Sequence, residues 1–211
     1  MIDEPENRTS FELVLICTGN RVRSPVTEGF LRHLLANIPV RLRSLGTLQL
    51  GPAPALPEAV DTAAALGIDI SAHRARSLER QDLAHSDLVL GFELQHVAAA
   101  VVNGHALRER AFLLPELVDL IEDVGPAGVD DPFERARQTI ARAHARRGGR
   151  TPSLRAQLID PLGRDRAFYR ETVDRLFDLS VRLAVGLFGD GAVRPLRRQP
   201  IPSESSHGRG P

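Results

Sequence analysis

Cys17 is the only cysteine in the 211-residue chain, and Arg23 follows it after five intervening residues in VLICTGNRVRSP (14–25). A lone cysteine most often serves as a small core hydrophobe, so its neighbours must decide its role. Here it ends an apolar run, a Gly-Asn pair comes next, and Ser24-Pro25 opens a helical pattern. A loop of this length leading into a helix N-terminus turns its backbone N–H groups inward as an anion nest. Thr18, Gly19, Asn20, Arg21, Val22, Arg23 and Ser24 would form it, with Gly19 and Asn20 predicted to take the left-handed conformation. Arg23 can clamp two oxygens of one phosphate group through its planar fork. The same N–H dipoles and guanidinium favour a thiolate, and Ser24 can donate a hydrogen bond to the sulfur. A nucleophile, an anion cradle and a bidentate clamp within eight residues suit attack on phosphorus.

Such an attack also needs a proton donor for the departing oxygen. Two Asp-Pro pairs are available, Asp131-Pro132 and Asp160-Pro161. Either is equally compatible with simple turn or helix-start chemistry.

The elements that must position these groups follow from the hydrophobic pattern. FELVLIC (11–17), VRLRSL (40–45), SDLVLGF (86–92) and AFLL (111–114) read as four strands. Helical patterns follow each: from Pro25 through VTEGFLRHLLANI, at 57–68, at 93–102 and through PELVDLIEDV. Alternation of this kind predicts a three-layer α/β/α fold with a central four-stranded parallel sheet. Ligands of such folds bind beyond the carboxyl ends of the strands, which is where Cys17 lies. A final helix is predicted over 167–188, with Phe168, Val173, Leu176, Leu179 and Leu183 facing a core. The arginine-rich stretch 131–150 reads as a helix with a solvated face, or else as a patch that binds a partner. The predicted domain spans 11–189, between a disordered N-terminus (1–10) and a Pro/Ser/Gly/Arg-rich disordered tail (190–211).

Composition narrows the function classes. Lys+Arg and Asp+Glu both number 27, so no global field draws the chain to nucleic acid or anionic lipid. One cysteine excludes an intrachain disulfide and a multi-cysteine zinc site. The chain has no lysine, which removes Schiff-base chemistry and a Walker-type phosphate loop. The acidic start MIDEPENRTS is unlike a signal peptide, and no apolar run spans a bilayer, so a cytoplasmic protein is expected.

CTGNRVRSP resembles the signature loop of the low-molecular-weight protein tyrosine phosphatases, which also lies near the N-terminus in that family. SLGT (44–47), GIDISAHRARSL (67–78) and DLVLGFELQHVAAAV are similar to successive family segments, so the likeness runs through most of the chain. The resemblance implies a phosphomonoester hydrolase acting through a cysteinyl-phosphate intermediate, without metal or other cofactor. It implies Cys17, Arg23 and an Asp-Pro aspartate as catalytic residues, with Asn20, Ser44 and His73 bracing the loop. The family frame selects Asp160, which stands directly ahead of the last helix and nine residues before Tyr169. The preceding segment, about 125–157, then resembles an insertion found in actinobacterial members. The expected partners are phosphotyrosine proteins or small aryl phosphates.

Two departures from the family pattern bear on this. Leu162, Leu48 and Gln49 stand where the family carries aromatic walls, which weakens the link to phosphotyrosine. Two other readings stay open: an arsenate reductase using an external thiol, and a phosphate-binding relic without catalysis. Val22 occupies a position where many members have a second cysteine, so the nucleophile lacks a disulfide partner. Intact-mass measurement after peroxide treatment is therefore expected to show oxygen adducts on Cys17, and a mixed disulfide only when an external thiol is supplied.

Overall fold

The residues of FELVLIC alternate between two faces, and apart from Glu12 both faces are apolar, as a strand covered on both sides requires. The computed structural model describes residues 10–149 and 156–196. Its strands are β1 (Phe11–Cys17), β2 (Val40–Gly46), β3 (Leu88–Gly91) and β4 (Ala111–Leu113), joined in one parallel sheet of order β2-β1-β3-β4. The helices are α1 (Arg23–Leu34), α2 (Pro57–Ala65), α3 (Leu94–Val102), α4 (Leu114–Val124), α5 (Pro132–Arg147) and α6 (Arg166–Phe188). Phe11, Leu13, Leu15 and Cys17 point into the larger apolar cluster, with buried residues of α1, α2, α4, α5 and α6. Val14 and Ile16 point into a smaller one, covered by α3 through Ala100 and Val97. The predicted three-layer α/β/α architecture is the one observed.

The register places the site. Cys17 pairs with Gly46 at the carboxyl end of β2, and Ile16 pairs with Gly91 at the end of β3. The connections leaving three adjacent strands therefore meet above Cys17.

The arginine-rich helix has a buried face as well as an exposed one. In α5, Phe133, Ala136, Ile140 and Ala143 are buried in the main core, so its inner face packs between α4 and α6. Its arginines are bonded within the molecule rather than merely solvated. Arg142 donates to the carbonyls of Val124, the last residue of α4, and of Pro126 just beyond it, capping that helix. Arg146 pairs with Asp123, Arg137 with Asp87, and Arg147 with Glu116 while lying 3.6 Å over the Phe112 ring. The predicted helical insertion is thus part of the core; its residues 150–155 lie outside the described ones.

The predicted tail also begins too early. Asp190–Ala192 form a 3-10 turn, Val193 and Leu196 pack on the core, and the Arg194 N–H donates to the Leu34 carbonyl at 2.8 Å. Residues 197–211 and 1–9 lie outside the described residues.

Ile140 is 2% exposed. Ile140→Ala is therefore expected to cost about 2–5 kcal/mol in urea unfolding, the loss of a core side chain, where a solvated helix would lose almost nothing.

Candidate active site

Between β1 and α1 the chain has five residues to turn through, and it does so with one left-handed residue. Asn20 has φ 50°, whereas Gly19 does not take the left-handed conformation predicted for it. A Cβ at Gly19 would stand 3.3 Å from the Cδ1 of the exposed Leu50. The cost of the Asn20 conformation is met by bonds to every polar atom of its side chain. Its Nδ2 donates to Ser24 Oγ (2.8 Å) and Ser44 Oγ (2.9 Å), and its Oδ1 accepts the Arg76 N–H (2.8 Å). His73 Nε2 donates to the Asn20 carbonyl at 2.8 Å, and burial lowers the pKa of that imidazole. The three residues assigned to loop support, Asn20, Ser44 and His73, thus lie in one network. Gly46 is also needed here, because a Cβ on it would come within 3.1 Å of Asn20 N and Gly19 C.

Cys17 is 2% exposed, and its Sγ lies 3.0 Å from Ser24 Oγ. Because Ser24 Oγ already accepts from Asn20, its hydroxyl hydrogen is free to point at the sulfur. α1 starts at Arg23, two residues earlier than its Pro25 suggested, so Arg23 and Ser24 are fixed in the first turn. Its N-cap is Val22, which supplies no side-chain bond, and its first turn has no acid. The first N–H groups of the helix are thereby left for an anion. Thr18 and Gly19 are partly exposed in this loop, while Arg21 swings outward to donate from Nε to the Pro54 carbonyl at 2.8 Å.

Arg23 has no solvent exposure. Nη1 donates to Glu93 and, at 2.7 Å, to the Leu158 carbonyl. Nη2 donates to Thr18 Oγ1 (3.2 Å) and to Asp160 Oδ2 (2.5 Å). Its Nε–H is buried with no acceptor among the described residues. The segment carrying Asp160 is held to the sheet, since the Leu158 N–H donates to the Phe92 carbonyl at 2.7 Å and the Leu94 N–H to Gln157 Oε1 at 2.9 Å. Asp131, the other Asp-Pro aspartate, is the N-cap of α5, with Oδ1 accepting the Glu134 N–H at 2.7 Å. The structure brings Asp160, and not Asp131, to the anion loop.

A model of the low molecular weight phosphotyrosine protein phosphatase family matches residues 12–159, about 70% of the chain and ending one residue before Asp160. The chain belongs to that family. It is 28% identical to the low molecular weight protein-tyrosine-phosphatase Etp of Escherichia coli K12 over 128 residues, 61% of this chain and 81% of Etp. Among solved structures it matches the low molecular weight protein tyrosine phosphatase of T. tengcongensis with TM-score 0.58 and 26% identity, over 82% of this chain and 97% of that one. A cysteine-to-serine mutant of the YwlE arginine phosphatase, with a phosphorylated active-site serine, matches with TM-score 0.62 and 23% identity, over 85% of this chain and 97% of that one.

This phosphatase-family site also contains groups that sequence reasoning missed. Glu93 holds Arg23, and buried His96 accepts the Glu93 N–H at Nδ1 (3.0 Å), which leaves Nε2–H to donate to Thr18 Oγ1 (3.0 Å). The available signal was a Glu and a His three apart directly after the third strand. Their value depends on β3 lying beside β1, which no local pattern reveals. Burial first, then the Arg23 charge, lowers the His96 pKa from 6.5 to about 3, so the folded protein keeps this ring neutral. An unfolded chain takes up that proton as pH falls below 6.5, and the folded one does not until about 3. Stability should therefore fall on acidification, by about 1.4 kcal/mol per pH unit for this one proton. His96→Gln, which can still donate to Thr18, should lose that part of the slope when urea stabilities near neutral pH and at about pH 5 are compared.

Proposed function

We propose that the protein hydrolyses phosphate monoesters through a cysteinyl-phosphate, with Cys17 as nucleophile, Arg23 as clamp and Asp160 as general acid. The observation that carries this reading is the convergence on Arg23. A fully buried guanidinium beside the Cys17 loop has one N–H without an acceptor and another bonded to the Asp160 carboxylate. An incoming phosphate dianion would take the free Nε–H and compete for Nη2, releasing Asp160 towards the leaving oxygen. The sulfur, steadied by the Ser24 hydroxyl, attacks phosphorus in line. The bond to the leaving oxygen breaks, and Asp160, protonated from solvent once displaced from Arg23, transfers that proton to the leaving oxygen. The loop N–H groups from Thr18 to Ser24 hold the equatorial oxygens. In the second step Asp160 accepts a proton from water, the water oxygen attacks phosphorus, and the P–S bond breaks to return the thiolate and inorganic phosphate.

The substrate is a phosphotyrosine protein or a small aryl phosphate. Leu48, Leu50, Ile159 and Leu162 are exposed on segments flanking the loop, and they offer aliphatic surface to a ring. A single reactive thiol suits a reducing compartment, so we place the activity in the cytoplasm. No observation at the site favours arsenate reduction or a purely binding role.

Turnover of p-nitrophenyl phosphate tests the assignments. Cys17→Ser should abolish it, and Asp160→Asn should lower kcat by about 10²–10⁴-fold. Asp131→Ala should leave kcat intact while costing about 1 kcal/mol of stability through loss of a helix cap. A crippled Asp131→Ala beside a fully active Asp160→Asn would transfer the acid role.

A further inference from the structure

Beside the phosphate loop lies a second concavity that the proposed chemistry does not use. It encloses about 550 Å³ between α2 and the start of α6, within the size range of ligand pockets. Both its walls are tied to the catalytic groups. On one side the Leu56 N–H donates to the Arg21 carbonyl of the phosphate loop at 3.0 Å. On the other, the Leu162 N–H donates to Asp160 Oδ1 at 3.0 Å.

Tyr169 lines the cleft and is 4% exposed, yet its hydroxyl has no hydrogen-bond partner among the described residues. Unpartnered buried hydroxyls are costly and normally point to a missing partner. Burial, with Glu58 and Asp160 nearby, pushes the phenol up to about 12, so it is a neutral donor at working pH. The rims carry opposite charge. Glu58 and Asp61 stand on α2, Arg166 and Arg170 on α6, and no ion pair within 4.0 Å joins the two rims among the described residues.

We propose that this cleft seats the polypeptide next to the phosphorylated residue of a protein substrate, with the Tyr169 hydroxyl donating to a main-chain carbonyl and the two rims selecting neighbouring side chains of opposite charge. The proposal rests on the phosphatase reading above and names its substrate more closely. Successive side chains of an extended peptide point to opposite sides. An acidic one can therefore meet the α6 arginines while the next, basic, meets the α2 carboxylates.

The test uses phosphotyrosine peptides whose two residues on either side of the phosphotyrosine are Asp/Lys, Asp/Asp, Lys/Lys or Ala/Ala. p-Nitrophenyl phosphate, too small to reach the cleft, serves as control. The wild type should prefer the Asp/Lys peptides over Ala/Ala by about fivefold or more in kcat/KM, mainly through KM. Arg166→Glu with Arg170→Glu makes α6 as acidic as α2, leaving Arg164 as the one arginine lining the cleft among the described residues, and should turn that preference to Lys/Lys with the control unchanged. Tyr169→Phe should lower kcat/KM about threefold to tenfold for every peptide and leave the control unchanged. Equal rates on all four peptides, or a double variant with wild-type preference, would overturn the cleft. Affinities of the same peptides for Cys17→Ser give the same ranking without turnover. A wild type that hydrolyses nothing would remove the phosphatase reading, while the cleft would still stand or fall on those affinities.

Discussion

A guanidinium with no access to water is the constraint around which the site is organised. An unpaired ion in that position would cost several kcal/mol, so partners must be brought to Arg23 from elsewhere. They arrive from residues 70, 135 and 137 positions further along the chain: Glu93, the Leu158 carbonyl and Asp160. Each is delivered by a bond to the sheet or to the α3 start. Glu93 follows β3 directly, and Leu158 makes a ladder-like bond to Phe92 at the end of that strand. Asp160 is therefore positioned by the same sheet that holds Cys17.

The loop between them is rigid for a related reason. Asn20 is held in a left-handed conformation by Ser24, Ser44, the Arg76 N–H and His73, so the anion nest is formed before any anion enters. A preformed nest does not have to reorganise when charge builds up on phosphoryl oxygens, which is where such sites gain most of their advantage. Two neutral imidazoles complete the frame. A protonated His96 beside Arg23 would set like charges together in a dry place, and burial prevents it.

Arginine carries every fixed positive side chain in this protein, and its uses divide by depth. Arg23 is fully buried and holds Glu93 and Asp160; Arg147, part-way out, covers an aromatic ring; Arg142, exposed, caps a helix, and Arg166 and Arg170 stand on a cleft rim. The same residue type thus serves buried ion pairing, packing and surface charge, which is why an arginine-rich segment such as 131–150 could not be read from composition. Its meaning lay in Phe133, Ala136, Ile140 and Ala143 on the opposite face, a helical spacing that the charges obscure.

The strands, the helices and the Cys17–Arg23 loop were legible in the sequence because each is a local matter. Period-two and period-3.6 patterns, and a strand running through a short polar loop into a helix, are set by neighbours along the chain. Even there, the left-handed residue proved to be Asn20 without Gly19, because bonds from distant segments decide which residue bears the strain. Tertiary structure alone decided the contact between Asp160 and Arg23, the recruitment of Glu93 and His96, and the burial of α5. Each of those depends on β3 lying beside β1 and on a segment after α5 returning to the end of β3. Strand order and long-range return are paid for by the whole core, and no local stretch of sequence encodes them.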